Sequence, residues 1–185
     1  WTVPGVLNTD YTIVSGSLAN TSNTVTLQWL TAGSKTVTVN YTSSGCTGLS
    51  ASSNTITVAS RPVPTFTAAP GASVCASTNV TYTTQAGQSN YVWTVPGVLN
   101  TDYTIQSGSL SSTSNMVTLQ WLTTGSKTAT VNYTDANGCT SLSAVSNTVT
   151  VNARPTPSFT ASPSGTVCSS TSVTYTTQAT QTSYV

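Results

Sequence analysis

The sequence predicts an all-β protein built from tandem antiparallel β-sandwich domains. Residues 1–92 and 93–185 are nearly the same sequence, so a unit of about 93 residues repeats along the chain. Within the unit, Val, Tyr, Ile, Leu and Trp alternate with Thr and Ser in short runs, and Gly, Pro, Asn and Ser separate these runs. A fixed period indicates an array of repeats. Alternation with a period of two indicates strands that bury one face.

The clearest complete unit runs from about Arg61 to Ala153 and contains seven predicted strands. In chain order, these are PTFTA from Pro64, NVTYTTQ from Asn79, YVWTV from Tyr91, DYTI from Asp102, MVTLQWL from Met116, KTATVNYT from Lys127 and SNTVTVN from Ser146. Each run places its large apolar residues two positions apart, on one face of a strand. We therefore expect a core with the aromatic residues Trp29, Trp93, Trp121, Tyr82 and Tyr133.

The rest of the chain matches parts of the same unit. Residues 1–60 contain counterparts of the third to seventh strands, and residues 154–185 contain counterparts of the first two. We expect residues 61–153 to form one complete domain between two partial ones. A window cut from a longer periodic chain would produce this pattern. The alternative is a polymer in which residues 154–185 of one chain complete residues 1–60 of the next.

The number of strands, their length and a tryptophan on the third strand fit an immunoglobulin-like sandwich. The motifs VCxSTxVTYTTQ, YVWTVPG and GCTSLSAxSNTVTV, followed by RPTPSFT, resemble the PKD-like, immunoglobulin-type repeats of very large surface proteins in Bacteroidetes. The resemblance covers the whole chain. It implies a secreted protein, often exported by the type IX route, whose repeats form the stalk of a cell-surface adhesin.

Charged side chains are scarce, which limits the chemistry available. The seven in the chain are Asp10, Lys35, Arg61, Asp102, Lys127, Asp135 and Arg154, and neither Glu nor His occurs. A serine nucleophile needs a base, and glycoside hydrolysis needs two acids in one cleft. We read the two acids of the complete unit as hairpin-turn residues. We therefore predict no enzyme activity, no catalytic residue, no cofactor and no metal site.

The same composition restricts the possible partners. The sequence has no basic stripe for nucleic acid and no run of 18 apolar residues to insert in a membrane. A nearly neutral surface repels its neighbours weakly. We therefore expect contacts with neighbouring repeats of the same chain, and lateral or head-to-tail self-association.

Two short linkers connect the predicted domains, VASRPVP at Val58–Pro64 and NARPTP at Asn152–Pro157. Closely spaced prolines favour an extended, semi-rigid backbone. Successive domains should then hold a defined angle. The predicted linker residues are Arg61, Pro62, Pro64, Arg154, Pro155 and Pro157.

Four cysteines, two in each unit, are candidates for disulfide bonds: Cys46, Cys75, Cys139 and Cys168. With no His and no CxxC motif, disulfides are a better interpretation than metal binding. A bond inside one domain is strained, because Cys75 and Cys139 fall at opposite ends of the predicted sandwich and a disulfide needs Cα atoms within about 7 Å. We therefore favour a bond from Cys75 to the counterpart of Cys139 in the following repeat, which would lock the array along its length. The bond inside one domain and a free thiol are the alternatives.

The leading functional hypothesis is a structural repeat of an extracellular stalk or filament. One alternative is an array of carbohydrate-binding modules, for which Trp121 would have to stack on sugar from the surface. Another is an accessory spacer of a secreted hydrolase.

Overall fold

The computed structural model describes residues 1–185, and all of its regular elements are β-strands. The first six strands are β1 (Tyr11–Gly16), β2 (Val25–Trp29), β3 (Gly33–Val39), β4 (Thr42–Ser43), β5 (Cys46–Thr47) and β6 (Ser52–Val58). The next eight are β7 (Phe66–Ala68), β8 (Ser73–Cys75), β9 (Asn79–Thr84), β10 (Ser89–Thr94), β11 (Tyr103–Gly108), β12 (Met116–Trp121), β13 (Gly125–Thr134) and β14 (Val145–Asn152). The last two are β15 (Phe159–Ala161) and β16 (Thr176–Thr177).

The strands β7 to β14 form two four-stranded sheets that share one core. The strand order is β11-β12-β9-β7 in one sheet and β10-β13-β14-β8 in the other. All neighbours run antiparallel except β14 and β8, which are parallel. The predicted class, an immunoglobulin-like antiparallel sandwich, is confirmed.

The complete repeat has eight strands, whereas the sequence predicts about seven. The additional strand, β8, pairs Ser73–Cys75 in parallel with Thr150–Asn152 at the end of β14. Three residues are too few to show a two-residue alternation, which is why the sequence pattern does not reveal this strand. The pairing places Cys75 directly beside the last residue of β14.

Alternate residues of the strands build the core between the two sheets. Thirteen buried side chains form it, and Val117, Leu119 and Trp121 on β12 have no exposed surface at all. The Tyr103 ring meets the Trp121 ring edge-on, with the ring centroids 5.8 Å apart. Burial of side chains of this size contributes about 1.5–3 kcal/mol each, so the core holds the two sheets together.

The outer faces of the sheets carry pairs of threonines on neighbouring strands. The Oγ1 atoms of Thr81 and Thr118 lie 2.9 Å apart, and those of Thr128 and Thr148 lie 2.8 Å apart. Each hydroxyl can both donate and accept, so the two members of a pair satisfy one another across the strands.

The sandwich has two ends, which we call upper and lower. The upper end contains the start of β7 and the loop between β13 and β14. The lower end contains the end of β14, where Asn152 lies beside Cys75. The chain therefore joins the complete repeat at its upper end and leaves it at its lower end.

Residues 1–58 and 159–177 repeat parts of this fold without the remaining strands. The pairs β1-β2, β3-β6, β4-β5 and β15-β16 each form a two-stranded sheet. Among the buried residues of the chain, only Tyr11 lies outside residues 64–151. The pairing of β1 with β2 has the same register as that of β11 with β12, including the irregularity after Ile13 and Ile105. Local structure is thus preserved where the core is incomplete.

Two leucines in the same local sequence, TLQW, test the contribution of the core. Leu119→Ala removes a fully buried side chain and should lower the free energy of unfolding by about 2–5 kcal/mol. Leu27→Ala, at the equivalent but half-buried position, should cost clearly less. Urea denaturation followed by tryptophan fluorescence measures both changes, with the exposed, outward-facing Thr26→Ala as the control. Equal losses for the two leucines would contradict the difference in burial.

Candidate functional site: the junctions between repeats

The candidate site consists of the two linker segments and the ends of the sandwich that they contact. Residues 59–65 connect β6 to β7, and residues 153–158 connect β14 to β15. Both segments are irregular, and their prolines fix φ near −65°. Pro64 is buried, whereas Pro155 and Pro157 are exposed. The first linker is therefore packed against the repeat that it leads into.

Arg61 connects its linker to the upper end of the complete repeat. Its Nη1 donates to the carbonyl oxygen of Thr140, in the loop between β13 and β14, at 2.6 Å. Residues 61–64 of the linker line a shallow groove together with residues 141–144 of this loop and the first two residues of β14. Val63 and Leu142 are among the most exposed apolar residues of the repeat, with 78% and 84% of their surfaces accessible.

Arg154 connects its linker to the lower end of the same repeat. Its Nε donates to the Ala76 carbonyl oxygen at 2.7 Å, and its Nη2 donates to Thr78 Oγ1 at 3.0 Å. These two acceptors belong to the turn between β8 and β9. Hydrogen bonds from a charged guanidinium are stronger than neutral ones, so the turn holds the outgoing linker.

The cysteines lie beside the acceptors of the two arginines. Cys139 precedes Thr140 at the upper end, and Cys75 precedes Ala76 at the lower end. Between these ends runs β14, whose eight residues span roughly 25 Å. Cys46 and Cys168 are exposed. All four cysteines are free thiols in the structure, so a bond between Cys75 and Cys139 inside the complete repeat is not formed there. A bond between consecutive repeats stays a prediction.

The lower end also holds a network of Asp102, Thr123 and Lys127. Asp102 Oδ2 accepts the Val98 amide at 2.8 Å, and its Oδ1 accepts the Thr123 hydroxyl at 3.0 Å. Lys127 Nζ donates to Thr123 Oγ1 at 2.8 Å and lies 5.9 Å from the centre of the Trp121 ring. The network ties the loop before β11 to the start of β13.

Hydrogen bonds to the Asp102 carboxylate lower its pKa below the ordinary value of 3.8. The largest cause is the Val98 N–H, followed by the Thr123 hydroxyl, with a smaller attraction from Lys127. Gly97 permits the close approach of this loop, since its φ is +93° and a Cβ there would collide with Asp102. The Asp102 carboxylate therefore stabilises the loop before β11 by accepting hydrogen bonds from it.

The same network occurs in residues 1–58 with identical spacing. Asp10 accepts the Thr31 hydroxyl at 3.0 Å, and Lys35 donates to Thr31 at 2.8 Å. The pKa of Asp10 is lowered by the same causes, the Val6 amide first. The repeated spacing from Asp to Thr to Lys was the signal that could have revealed the network.

The five predicted core aromatics have different surroundings. Trp121, Tyr82, Tyr133 and Trp93 are buried in the complete repeat, and Trp29 is half-buried. Trp93 Nε1 donates to the Ser114 carbonyl oxygen at 2.8 Å. The Tyr82 hydroxyl and the Trp121 indole nitrogen are buried next to one another without a well-aligned hydrogen bond, and burial raises the pKa of Tyr82.

The structure holds no helix with the length and hydrophobicity needed to cross a membrane. It also holds no group of three or more His, Cys, Asp or Glu side chains arranged to bind a metal ion.

Comparison with known proteins finds matches only among solved structures. Domains 4–9 of the surface layer protein SbsC are 19% identical, with a TM-score of 0.32; the match covers 84% of this chain and 24% of that one. Domains 4 and 5 of SbsC are 20% identical, with a TM-score of 0.26; the match covers 77% of this chain and 70% of that one. The chain thus spans about a quarter of the longer SbsC structure. No family model and no curated protein matches it, and the PKD-like resemblance stays a prediction.

Acid titration tests the loop-capping role of Asp102. Because its folded-state pKa is below 3.8, the stabilisation is complete above that pH and is lost as pH falls through the lower folded-state value. Asp102→Asn should therefore lower stability at pH 7 and flatten the loss of stability on acidification. Thermal unfolding between pH 7 and pH 2 measures both effects. If Asp102→Asn loses as much stability between pH 7 and pH 2 as the unmodified protein does, the Asp102 carboxylate does not cap the loop.

Proposed function

We propose that the chain is a structural repeat segment of an extracellular surface stalk or filament, adhesin-like, that holds a distal binding region away from the cell. In this proposal, residues 1–60, 61–153 and 154–185 belong to three successive domains of the array. The observation that carries the proposal is that linker arginines bind the ends of the complete repeat and so restrict the angle between consecutive domains.

The two arginines occupy the same position in the repeating unit but use different nitrogens. Arg61 binds the domain that follows it through Nη1, and Arg154 binds the domain that precedes it through Nε and Nη2. A guanidinium has five N–H donors in a rigid plane. One arginine at a junction between two complete domains therefore has enough donors to bind both. Together with the prolines, such a contact stiffens the array.

The location of the aromatic residues favours this role over sugar binding. In the complete repeat, Trp121 has no exposed surface and Trp93 is 9% exposed, so neither indole is available for stacking on a sugar ring. The exposed rings are Tyr41, Phe159, Tyr175 and Tyr184. Their counterparts in the complete repeat belong to its core or pack against it. They are therefore core residues of incomplete domains.

Substitution of Arg154 tests whether the arginine stiffens the linker. Arg154→Ala removes both bonds to the turn between β8 and β9, and should increase the fast motion of the Thr156 backbone. The {1H}-15N heteronuclear NOE of the Thr156 amide should fall, while the amides of β14 remain rigid. Lys127→Ala is the control, because Lys127 is a cation at the same end and contacts Thr123, not the linker. An unchanged Thr156 amide would contradict the proposal.

Labelling of cells tests the proposed location. Gold-labelled antibodies against residues 61–153 should bind intact cells of the source organism as strongly as permeabilised ones, and gold particles should lie along extended structures outside the cell. A cytoplasmic protein labelled in parallel is the control. Labelling that appears only after permeabilisation would contradict the surface role.

A further inference from the structure

The two linkers attach to opposite ends of the complete repeat, so tension along the chain crosses the sandwich from end to end. The incoming linker leads into β7 at the upper end, and the outgoing linker follows Asn152 at the lower end. Tension therefore pulls β7 toward the upper end and β14 toward the lower end. The contacts that join the first strands of the repeat to its last strand decide how much tension the fold withstands.

Strand β7 carries the tension first. It is three residues long, and its pairing with β9 is irregular between Phe66 and Ala68. The Thr84 hydroxyl adds a bond to the Thr65 carbonyl oxygen at 2.8 Å. Because the pairing is short and irregular, we expect β7 to detach before the other strands. The tension then passes along residues 69–72 to β8.

Strand β8 lies at the edge of its sheet and is held there by β14. The two strands run parallel over three residue pairs. The Thr150 amide donates to the Ala72 carbonyl oxygen at 2.9 Å, and the Ala76 amide donates to the Asn152 carbonyl oxygen at 2.8 Å. These two bonds mark the upper and lower limits of the main-chain contact between β8 and β14.

Side chains extend this contact beyond both limits. Asn147 Nδ2 donates to the Pro70 carbonyl oxygen at 3.4 Å, before β8 begins. After β14 ends, Arg154 donates to the Ala76 carbonyl oxygen and to Thr78 Oγ1. We call residues 70–78 and 147–154, with the bonds between them, the clamp. Since Arg154 belongs to the outgoing linker, the clamp reaches into the segment through which the tension arrives.

The parallel direction of β8 and β14 determines how the clamp meets this tension. The incoming chain pulls β8 back toward its first residue, and the outgoing linker pulls β14 forward beyond its last one. The hydrogen bonds between parallel strands are evenly spaced across the pair, so the pull shears them and they share the tension. Bonds that are sheared in this way must break together, whereas bonds pulled apart from one end break in turn.

We propose that the clamp is the element of the complete repeat that resists tension between its linkers, and that Arg154 is part of it. Strand β14 stays in place when β8 is pulled, because it also pairs with β13 over seven residue pairs. Val74 and Ala76 pack against the core, so the loss of β8 opens the core to water. The proposal concerns any tension that arrives through the linkers, and it does not depend on the surface role proposed above.

Single-molecule pulling of the full chain by its two ends tests the proposal. Unfolding of the complete repeat releases roughly 250–300 Å of extended chain, which identifies the event. At a fixed force, Arg154→Ala should raise the unfolding rate about tenfold, because it removes two hydrogen bonds from a charged group. Ala76→Pro removes the amide that binds Asn152 and should raise the rate as well.

Two variants at the same end of the repeat, outside the clamp, serve as controls. Lys127→Ala removes a cation that bonds to Thr123, and Asp102→Asn weakens the cap of the loop before β11. Both should unfold under force at the rate of the unmodified chain, although Asp102→Asn lowers the stability at equilibrium.

An unchanged unfolding rate in either clamp variant would overturn the proposal. A control variant that unfolds as fast under force as Arg154→Ala would overturn it too, because the effect would then reflect a general loss of stability. Neither result bears on the surface role, which the Thr156 amide and the labelling of cells test separately.

Discussion

The pairing of β9 with β12 is the constraint on which the rest of the structure depends. It places Tyr82 and Val80 opposite Val117 and Leu119, and it closes one side of the core over Trp121. Where this pairing is present, the side chains of the VTLQWLT segment that face the core are fully buried; where it is missing, the same segment is only half-buried. The local sequence thus determines that a strand forms, and the neighbouring strand determines whether that strand becomes part of a core.

The sequence allowed most of the sandwich to be predicted, because its longer strands alternate clearly between apolar residues and Thr or Ser. β8 was missed, since three residues carry no period. The contacts of the linkers could not be predicted either. Arg61 binds a carbonyl oxygen 79 positions away. Because every residue has a backbone carbonyl group, the sequence does not reveal which one accepts a hydrogen bond. The network of Asp102, Thr123 and Lys127 was open to detection, because its spacing recurs in residues 1–58.

The few charges of the complete repeat and of the linker that follows it are gathered at the two ends of the sandwich. Arg61 and Asp135 lie at the upper end, and Asp102, Lys127 and Arg154 lie at the lower end. Each of these side chains bonds to a loop or to a linker. The sheets between them carry threonine pairs on their outer faces and apolar side chains inside. The charges are therefore used to position loops and linkers.

The near-identity of successive units has a consequence for how such a chain reaches its native state. Because VTYTTQ and VTLQWLT each occur twice, a newly made strand finds two partners of equal chemical fit, and only its position along the backbone distinguishes them. Exchange of elements between units is a characteristic failure of repeat proteins during folding. Closing a short loop costs less entropy than closing a long one, so pairing within one unit is favoured while the chain emerges gradually. Refolding the whole chain at once at high concentration removes that advantage.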